Sequence, residues 1–347
     1  MFSPPSGVAR PIAVVAAIMA AYLPTVHAQD AEETTPSVRV EMAAQAERLH
    51  GIVRSEVAYH FLDAVPDLPA IDDTRVLYYN RESRSAITPE EADGMTESER
   101  IDYERRELDE EFYYYTMYGS PLAFVRPLDL MGRAGLDSLQ GARIVDFGFG
   151  SVGQLRLMAA NGASAHGIEV SSLLQHLYSH PGDTGRVPRA KAAGVGADGE
   201  VVLHFGHWPA EETLVRDVDG GYDVFVSKNT LKNGYIHPAE KVDPRMLVNL
   251  EVDDETFVRS VYNALAPEGW FMIYNLCPPQ AEDRYIPWAD GRCPFTRELL
   301  EETGFDVLAY NEDDSATARE MGKMLGWDQS MNLETDLFAT YTLVRKR

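Results

Sequence analysis

Apolar residues in the first third of the chain recur at helical spacing. Leu49, Ile52, Val53, Val57 and Phe61 follow one another at offsets of three, four, eight and twelve, which predicts one amphipathic helix over 38–62. A short strand is expected over 75–79. Thr88-Pro89-Glu90-Glu91 puts a capping threonine before a first-turn proline, and Thr96-Glu97-Ser98-Glu99 spells a capping box. The second of these starts is expected to continue as a charged helix into Phe112, Tyr113, Tyr114, Tyr115 and Tyr118, ending near Gly119-Ser120-Pro121. A further short helix is expected over 122–136, bent or begun at Pro127. Near Asp137 the pattern changes. Short apolar runs at 143–147, 165–170, 201–205, 222–227 and 270–276 alternate with helical patterns, and two closing runs, 305–310 and 338–344, flank a short charged helix. Apolar strands alternating with helices are what a mainly parallel sheet covered on both faces requires. The predicted class is α/β, with a helical cap over 29–138 and the sheet domain over 139–347.

Composition adds limits to this picture. The 347 residues are 45% hydrophobic, enough for one large domain or two small ones. Lys and Arg number 31 against 55 Asp and Glu, a formal charge of −24. A chain so acidic repels phosphate backbones, and no basic stretch compensates, so nucleic acid is excluded as an expected partner. Residues 1–28 read as a secretory signal peptide: Arg10 precedes the apolar run 12–23, Pro24 follows, and Val26-His27-Ala28 supplies a small-residue cleavage site. That run is too short to span a bilayer comfortably, so export to a periplasmic or extracellular compartment is expected, without a stable membrane anchor after cleavage. Residues 29–36 are polar and read as a linker. In an oxidising compartment Cys277 and Cys293 could pair or remain two thiols.

The strongest chemical signal is Val145-Asp146-Phe147-Gly148-Phe149-Gly150-Ser151-Val152-Gly153, which follows a strand and opens a helix. Glycines let the backbone turn sharply and approach a ligand, and free N–H groups at a helix start favour an anionic group. As spelled, Gly148, Gly150 and Gly153 also match the dinucleotide fingerprint of a nicotinamide-dependent oxidoreductase. Asp146 points the other way. A carboxylate is unwelcome beside a pyrophosphate and welcome beside a ligand carrying an ammonium and a sulfonium.

With this motif the chain, over about 139–347, resembles the class I S-adenosylmethionine-dependent methyltransferases. Gly167-Ile168-Glu169 matches the acid that ends their second strand, Tyr222-Asp223-Val224-Phe225-Val226-Ser227 their fourth strand, and Leu265-Ala266-Pro267-Glu268-Gly269-Trp270-Phe271 the entry to their fifth. The resemblance implies a Rossmann-like, mainly parallel, seven-stranded sheet and S-adenosylmethionine as cofactor. It implies that Asp146, Gly148, Gly150 and Gly153 hold the donor and that Glu169 takes its ribose hydroxyls. Where the family often places an acid near the adenine, this chain has Gly206-His207-Trp208-Pro209; Trp208 could stack on the base and His207 hydrogen-bond it.

The segment from Ser227 to Pro238 follows the fourth strand, at the edge where open α/β sheets bind ligands. Lys228, Tyr235 and His237 are the candidates there for orienting an acceptor or taking its proton. The tyrosines at 113, 114, 115 and 118 read as a lid or, more simply, as core packing. His176 and His180 stand four apart, but no Cys or clustered carboxylate completes a metal set, so no metal is expected. Three functions remain open: a methyltransferase acting on a small molecule or protein side chain, an exported non-catalytic binding protein on the same fold, and a nicotinamide-dependent oxidoreductase.

Overall fold

A computed structural model describes residues 37–347; the expected signal peptide and linker lie outside the described residues. The expected helix over 38–62 is two helices, Val38–Leu49 and Glu56–Asp63. The break has a tertiary cause. The buried Asp129 carboxylate accepts the backbone N–H groups of Arg54 (2.7 Å) and Ser55 (2.8 Å), fixing an extended turn that the local spacing does not encode. The capping box expected at Thr96 forms, and the capping Thr88 forms one as well, with Glu91 as its partner. The second helix, however, stops after Glu97–Arg100, and the chain turns into a strand, so the expected run of helix into Phe112 is corrected. Three strands make an antiparallel cap sheet of order β2-β1-β3: β1 (Arg75–Asn80), β2 (Ser85–Ile87) and β3 (Glu104–Leu108). The cap is therefore mixed rather than helical. A charged segment such as β3, mostly exposed, can satisfy its backbone either way, and pairing with β1 decides it.

The main sheet contains β4 (Arg143–Phe147), β5 (Ser164–Glu169), β6 (Gly185–Val187), β7 (Gly199–Phe205), β8 (Tyr222–Lys228), β9 (Leu265–Cys277), β10 (Phe305–Asp313) and β11 (Phe338–Lys346), in the order β10-β11-β9-β8-β4-β5-β7-β6. The pairs β4/β5, β5/β7, β4/β8 and β8/β9 are parallel; β11 runs antiparallel to both β9 and β10. The sheet has eight strands rather than seven, because the short β6 adds antiparallel to the β7 edge. Alternate side chains fill opposite faces, as strand geometry demands. Ile144, Val224, Val226 and Met272 join the cap helices in one core; Val145, Phe147, Phe225 and Phe271 join Phe257 and Phe295 in the other. The first core runs without interruption from Met42 and Phe61 of the cap to Met321. Cys277 and Cys293 are both buried and free. Among the described residues no helix is long and apolar enough to cross a membrane.

Towards the β7 edge, β5 and β7 bring two histidines together. His166 Nδ1 lies 3.0 Å from His204 Nε2, and Ser164 Oγ lies 3.1 Å from the other ring nitrogen of His166. Burial, with the charges of His204 and Arg143, pushes His166 down to about 4. The unfolded chain therefore takes up a proton first as the pH falls, and stability is lost between about pH 6.5 and pH 4. Replacing His166 with Gln is expected to flatten that acid limb, read as the unfolding midpoint against pH; an unchanged limb would place the acid sensitivity elsewhere.

Candidate donor and acceptor site

Asp146 is the fourth residue of β4, 1% exposed. Gln154, on the helix that the glycine turn opens, donates from Nε2 to its Oδ2 at 3.0 Å and also to the Phe149 carbonyl; Ser151 Oγ donates to Gln154 Oε1 at 2.9 Å. The other oxygen, Oδ1, is buried with no partner. Burial pushes this carboxyl up to about 7, against the opposing pull of the Gln154 hydrogen bond and the Lys228 charge. An orphaned carboxylate oxygen of this kind is costly unless something positive or donating arrives to meet it.

The glycines of the turn have separate duties. Gly148 and Gly150 lie at φ of 74° and 63°, the left-handed region, while Gly153 is needed for packing, since a Cβ there would stand 2.7 Å from Pro121 of the cap. At Gly148 a Cβ would meet Thr230 Cβ at 2.7 Å, and at Gly150 it would meet the Tyr118 ring at 2.8 Å. Thr116 Oγ1 donates to the Gly150 carbonyl at 2.9 Å, so residues 116–118 strap the turn from the cap side. Glu169 ends β5. Its Oε1 accepts the N–H groups of Val170 (2.8 Å) and Ser171 (3.2 Å), while burial pushes the carboxyl above its ordinary value against the pull of these bonds and that of Gly150.

The tyrosines divide. Tyr113 and Tyr114 are buried core residues, whereas Tyr118 is 42% exposed and lays its ring against Gly150. Tyr178, which the sequence patterns do not single out, accepts the Val152 N–H (3.2 Å) and donates to the Tyr113 carbonyl (2.8 Å), tying the glycine turn to the cap. Periodicity marks such a tyrosine only as apolar.

Lys228 closes β8. Among the described residues its ammonium makes no hydrogen bond or ion pair, and burial pushes it down to about 8 while the Asp146 charge holds it up. Tyr235, on the same loop, is half-buried, and burial pushes its phenol up to about 12. Between them lies Lys232, passed over by the sequence reading. It is 3% exposed, donates to the carbonyls of Leu276 (2.6 Å) and Trp288 (3.2 Å), and stands over the Tyr235 ring at 5.5 Å.

His237 does not join this group. It is exposed, and its Nε2 meets the Asp254 carboxylate at 2.9 Å on the wall of an open groove of about 610 Å³ at the start of the helix Asp254–Ala264. That groove is lined by none of the donor candidates. Trp208 is placed in the core, 3% exposed, against Phe225, Phe257 and Phe147 at 5.3, 5.7 and 6.3 Å, so its indole builds the second core rather than offering an open stacking platform. His207 is half-exposed, and its N–H donates to Glu211 at 2.6 Å. Among the described residues no group of three metal-ligating side chains occurs; His176 instead contacts the Ser172 carbonyl and Glu91.

The strand order gives a Rossmann-like α/β fold in which the closing antiparallel β11 inserts between β9 and β10, with β6 as an addition, the architecture that the resemblance to class I methyltransferases implies. No family model matches the chain, and no curated protein matches it. Among solved structures, it is similar to the phosphoethanolamine N-methyltransferase 2 of Haemonchus contortus in complex with phosphomonomethylethanolamine and S-adenosylhomocysteine, at 13% identity, 92% of this chain, 76% of that one and a TM-score of 0.40. It is similar to an S-adenosylmethionine-dependent methyltransferase of Mesorhizobium loti at 19% identity, covering 62% and 95%, TM-score 0.33. It is also similar to the cyclase SpnF at 18% identity, covering 63% and 78%, TM-score 0.36. Likenesses this distant carry no argument about chemistry, which rests on the side chains described above.

Proposed function

We propose that the chain binds S-adenosylmethionine across the carboxyl ends of β4 and β5 and methylates a small molecule or a protein side chain. The observation that carries this reading is the buried, unpartnered Oδ1 of Asp146 beside a left-handed glycine turn. A ligand with cationic groups satisfies that oxygen; a pyrophosphate does not, which disfavours a nicotinamide cofactor. The residues present fit the donor in charge: Asp146 meets its positive end, and Glu169, held in place by two backbone N–H groups, has acceptor capacity for ribose hydroxyls. The donor supplies an electrophilic methyl group. Lys228 and Tyr235 then orient the acceptor at the end of β8 and can hold or receive its proton. His237, turned to Asp254, serves the outer wall.

The second reading, a non-catalytic binding protein, draws on Tyr118, whose ring already lies against Gly150. Calorimetric titration with S-adenosylmethionine and S-adenosylhomocysteine separates the two, with NADH alongside. Micromolar affinity, reduced at least tenfold in Glu169→Ala, is the expected result; no heat with either compound from folded protein would leave the second reading standing. Export belongs to the same proposal, on the strength of the pattern in residues 1–28, and requires donor supply beyond the cytoplasm. The mass of the chain recovered for titration reads whether those residues have been removed.

A further inference from the structure

Two further buried side chains serve Asp146. Ser151, in the glycine turn, and Gln154, on the helix Gly153–Ala160, are 4% and 5% exposed, against 1% for Asp146 itself. The Phe149 carbonyl can only accept, so the end of Gln154 that meets both it and Asp146 Oδ2 is the amide nitrogen. The amide oxygen then faces Ser151, whose hydroxyl donates to it at 2.9 Å. The amide has one orientation, and the carboxylate is left with one bonded and one open oxygen. Within this trio Oδ1 of Asp146 is the one buried side-chain atom without a partner.

The nature of the group on Oδ2 matters as much as the vacancy on Oδ1. A lysine or arginine at 154 would pair with the carboxylate and cancel its charge inside the fold. A neutral amide satisfies one oxygen and leaves that charge standing. The charged groups on the flanking strands do not complete the pairing. Asp146 stands in register with Gly167 of β5 and Val226 of β8, so Glu169 and Lys228 lie two residues further along their strands. Lys228 lowers the carboxyl and Glu169 raises it, yet among the described residues neither makes a hydrogen bond or ion pair with it. An open carboxylate oxygen is best met by an N–H or O–H group. The sulfonium of S-adenosylmethionine carries neither, whereas the ammonium of its amino-acid chain carries N–H donors and a positive charge.

We propose that Gln154, its amide oriented by Ser151, is a positioning residue for the methyl donor: it holds Asp146 by Oδ2 and so presents Oδ1 to the ammonium of the donor's amino-acid chain. This inference rests on the reading that Asp146 belongs to the donor. The test compares S-adenosylhomocysteine with its deaminated analogue, which keeps the carboxylate and the adenosine, by calorimetric titration into the folded protein. The parent is expected to bind S-adenosylhomocysteine about tenfold more tightly than the analogue. Gln154→Met should remove most of that preference while affinity for the analogue stays within about twofold of the parent's. Gln154→Lys should remove it too, because its own ammonium supplies the charge that Asp146 lacks. That pairing also supports the fold, so the lysine variant carries the test if the methionine variant fails to unfold cooperatively in urea. A preference kept in a folded variant, or a loss of affinity shared equally by the two compounds, would overturn the positioning role. A parent that binds both compounds equally would overturn it as well and leave the donor reading in place. No binding of S-adenosylhomocysteine by the parent would overturn the donor reading and this inference with it.

Discussion

Replacing Asp146 with Asn is expected to weaken the binding of S-adenosylhomocysteine and S-adenosylmethionine by tenfold or more, and at the same time to stabilise the ligand-free protein above neutral pH. Both effects come from one oxygen. The Asp146 carboxyl has an ordinary value near 3.9 in the unfolded chain and about 7 when buried, so the folded state keeps a proton that the unfolded state has lost. Stability contributed by the neutral form is therefore complete below about pH 4 and is lost as the pH rises to about 7. Above that, the buried carboxylate costs on the order of 2–4 kcal/mol, a cost that the amide escapes. The excess stability of Asp146→Asn over the parent, measured by urea unfolding, should then grow from near zero at pH 4 to its full value at pH 8. A donor whose positive end meets Oδ1 favours the ionised form, so affinity in the parent should tighten over the same window. Donor affinity unchanged by the substitution would remove the central support for the methyl-donor reading.

The largest loss of stability is expected from Arg126→Met. Arg126, on the cap helix Val125–Ala134, is 5% exposed; it donates to both oxygens of Asp314 (2.7 and 2.6 Å) and to Asp129 at 2.7 Å. Removing it strands two buried carboxylates, which typically costs about 3–5 kcal/mol. Asp129 would keep the N–H groups of Arg54 and Ser55, and Asp314 the Tyr274 hydroxyl at 3.0 Å, which argues for the lower part of that range. Asp314→Asn in the same chain should restore part of the loss. The exposed pair Arg259–Glu255 is the contrast, and Arg259→Ala should change stability by under about 1 kcal/mol. Equal effects at the two arginines in urea unfolding would mean that the Arg126 network does not join cap to sheet.

The structure bears out what short-range pattern carries and corrects what depends on distant partners. The seven expected strands of the sheet domain are present within a few residues of their sequence positions; the five parallel ones are apolar on both faces and so announce themselves locally, and the closing antiparallel pair keeps enough apolar positions to do the same. Gly148 and Gly150 make the sharp turn expected of them, both in the left-handed region. Asp146 and Glu169 stand at the carboxyl ends of β4 and β5, since a strand followed by a glycine turn fixes where its last side chains go. The break before Glu56 depends on a carboxylate 75 residues away, and β3 on a strand nearly 30 residues before it; neither leaves a mark on the local hydrophobic period. Trp208 and His237 were polar-tipped residues in the right loops, yet packing against Phe225 and pairing with Asp254 took them elsewhere. The sequence by itself determined the strands of the sheet and the acids that stand at the carboxyl ends of β4 and β5. Only the tertiary structure decided which oxygen of Asp146 is left unpaired, that Lys228 is unpaired, and that Tyr118 rather than Tyr113 reaches the glycine turn, because burial and pairing are properties of neighbours that the fold alone assembles.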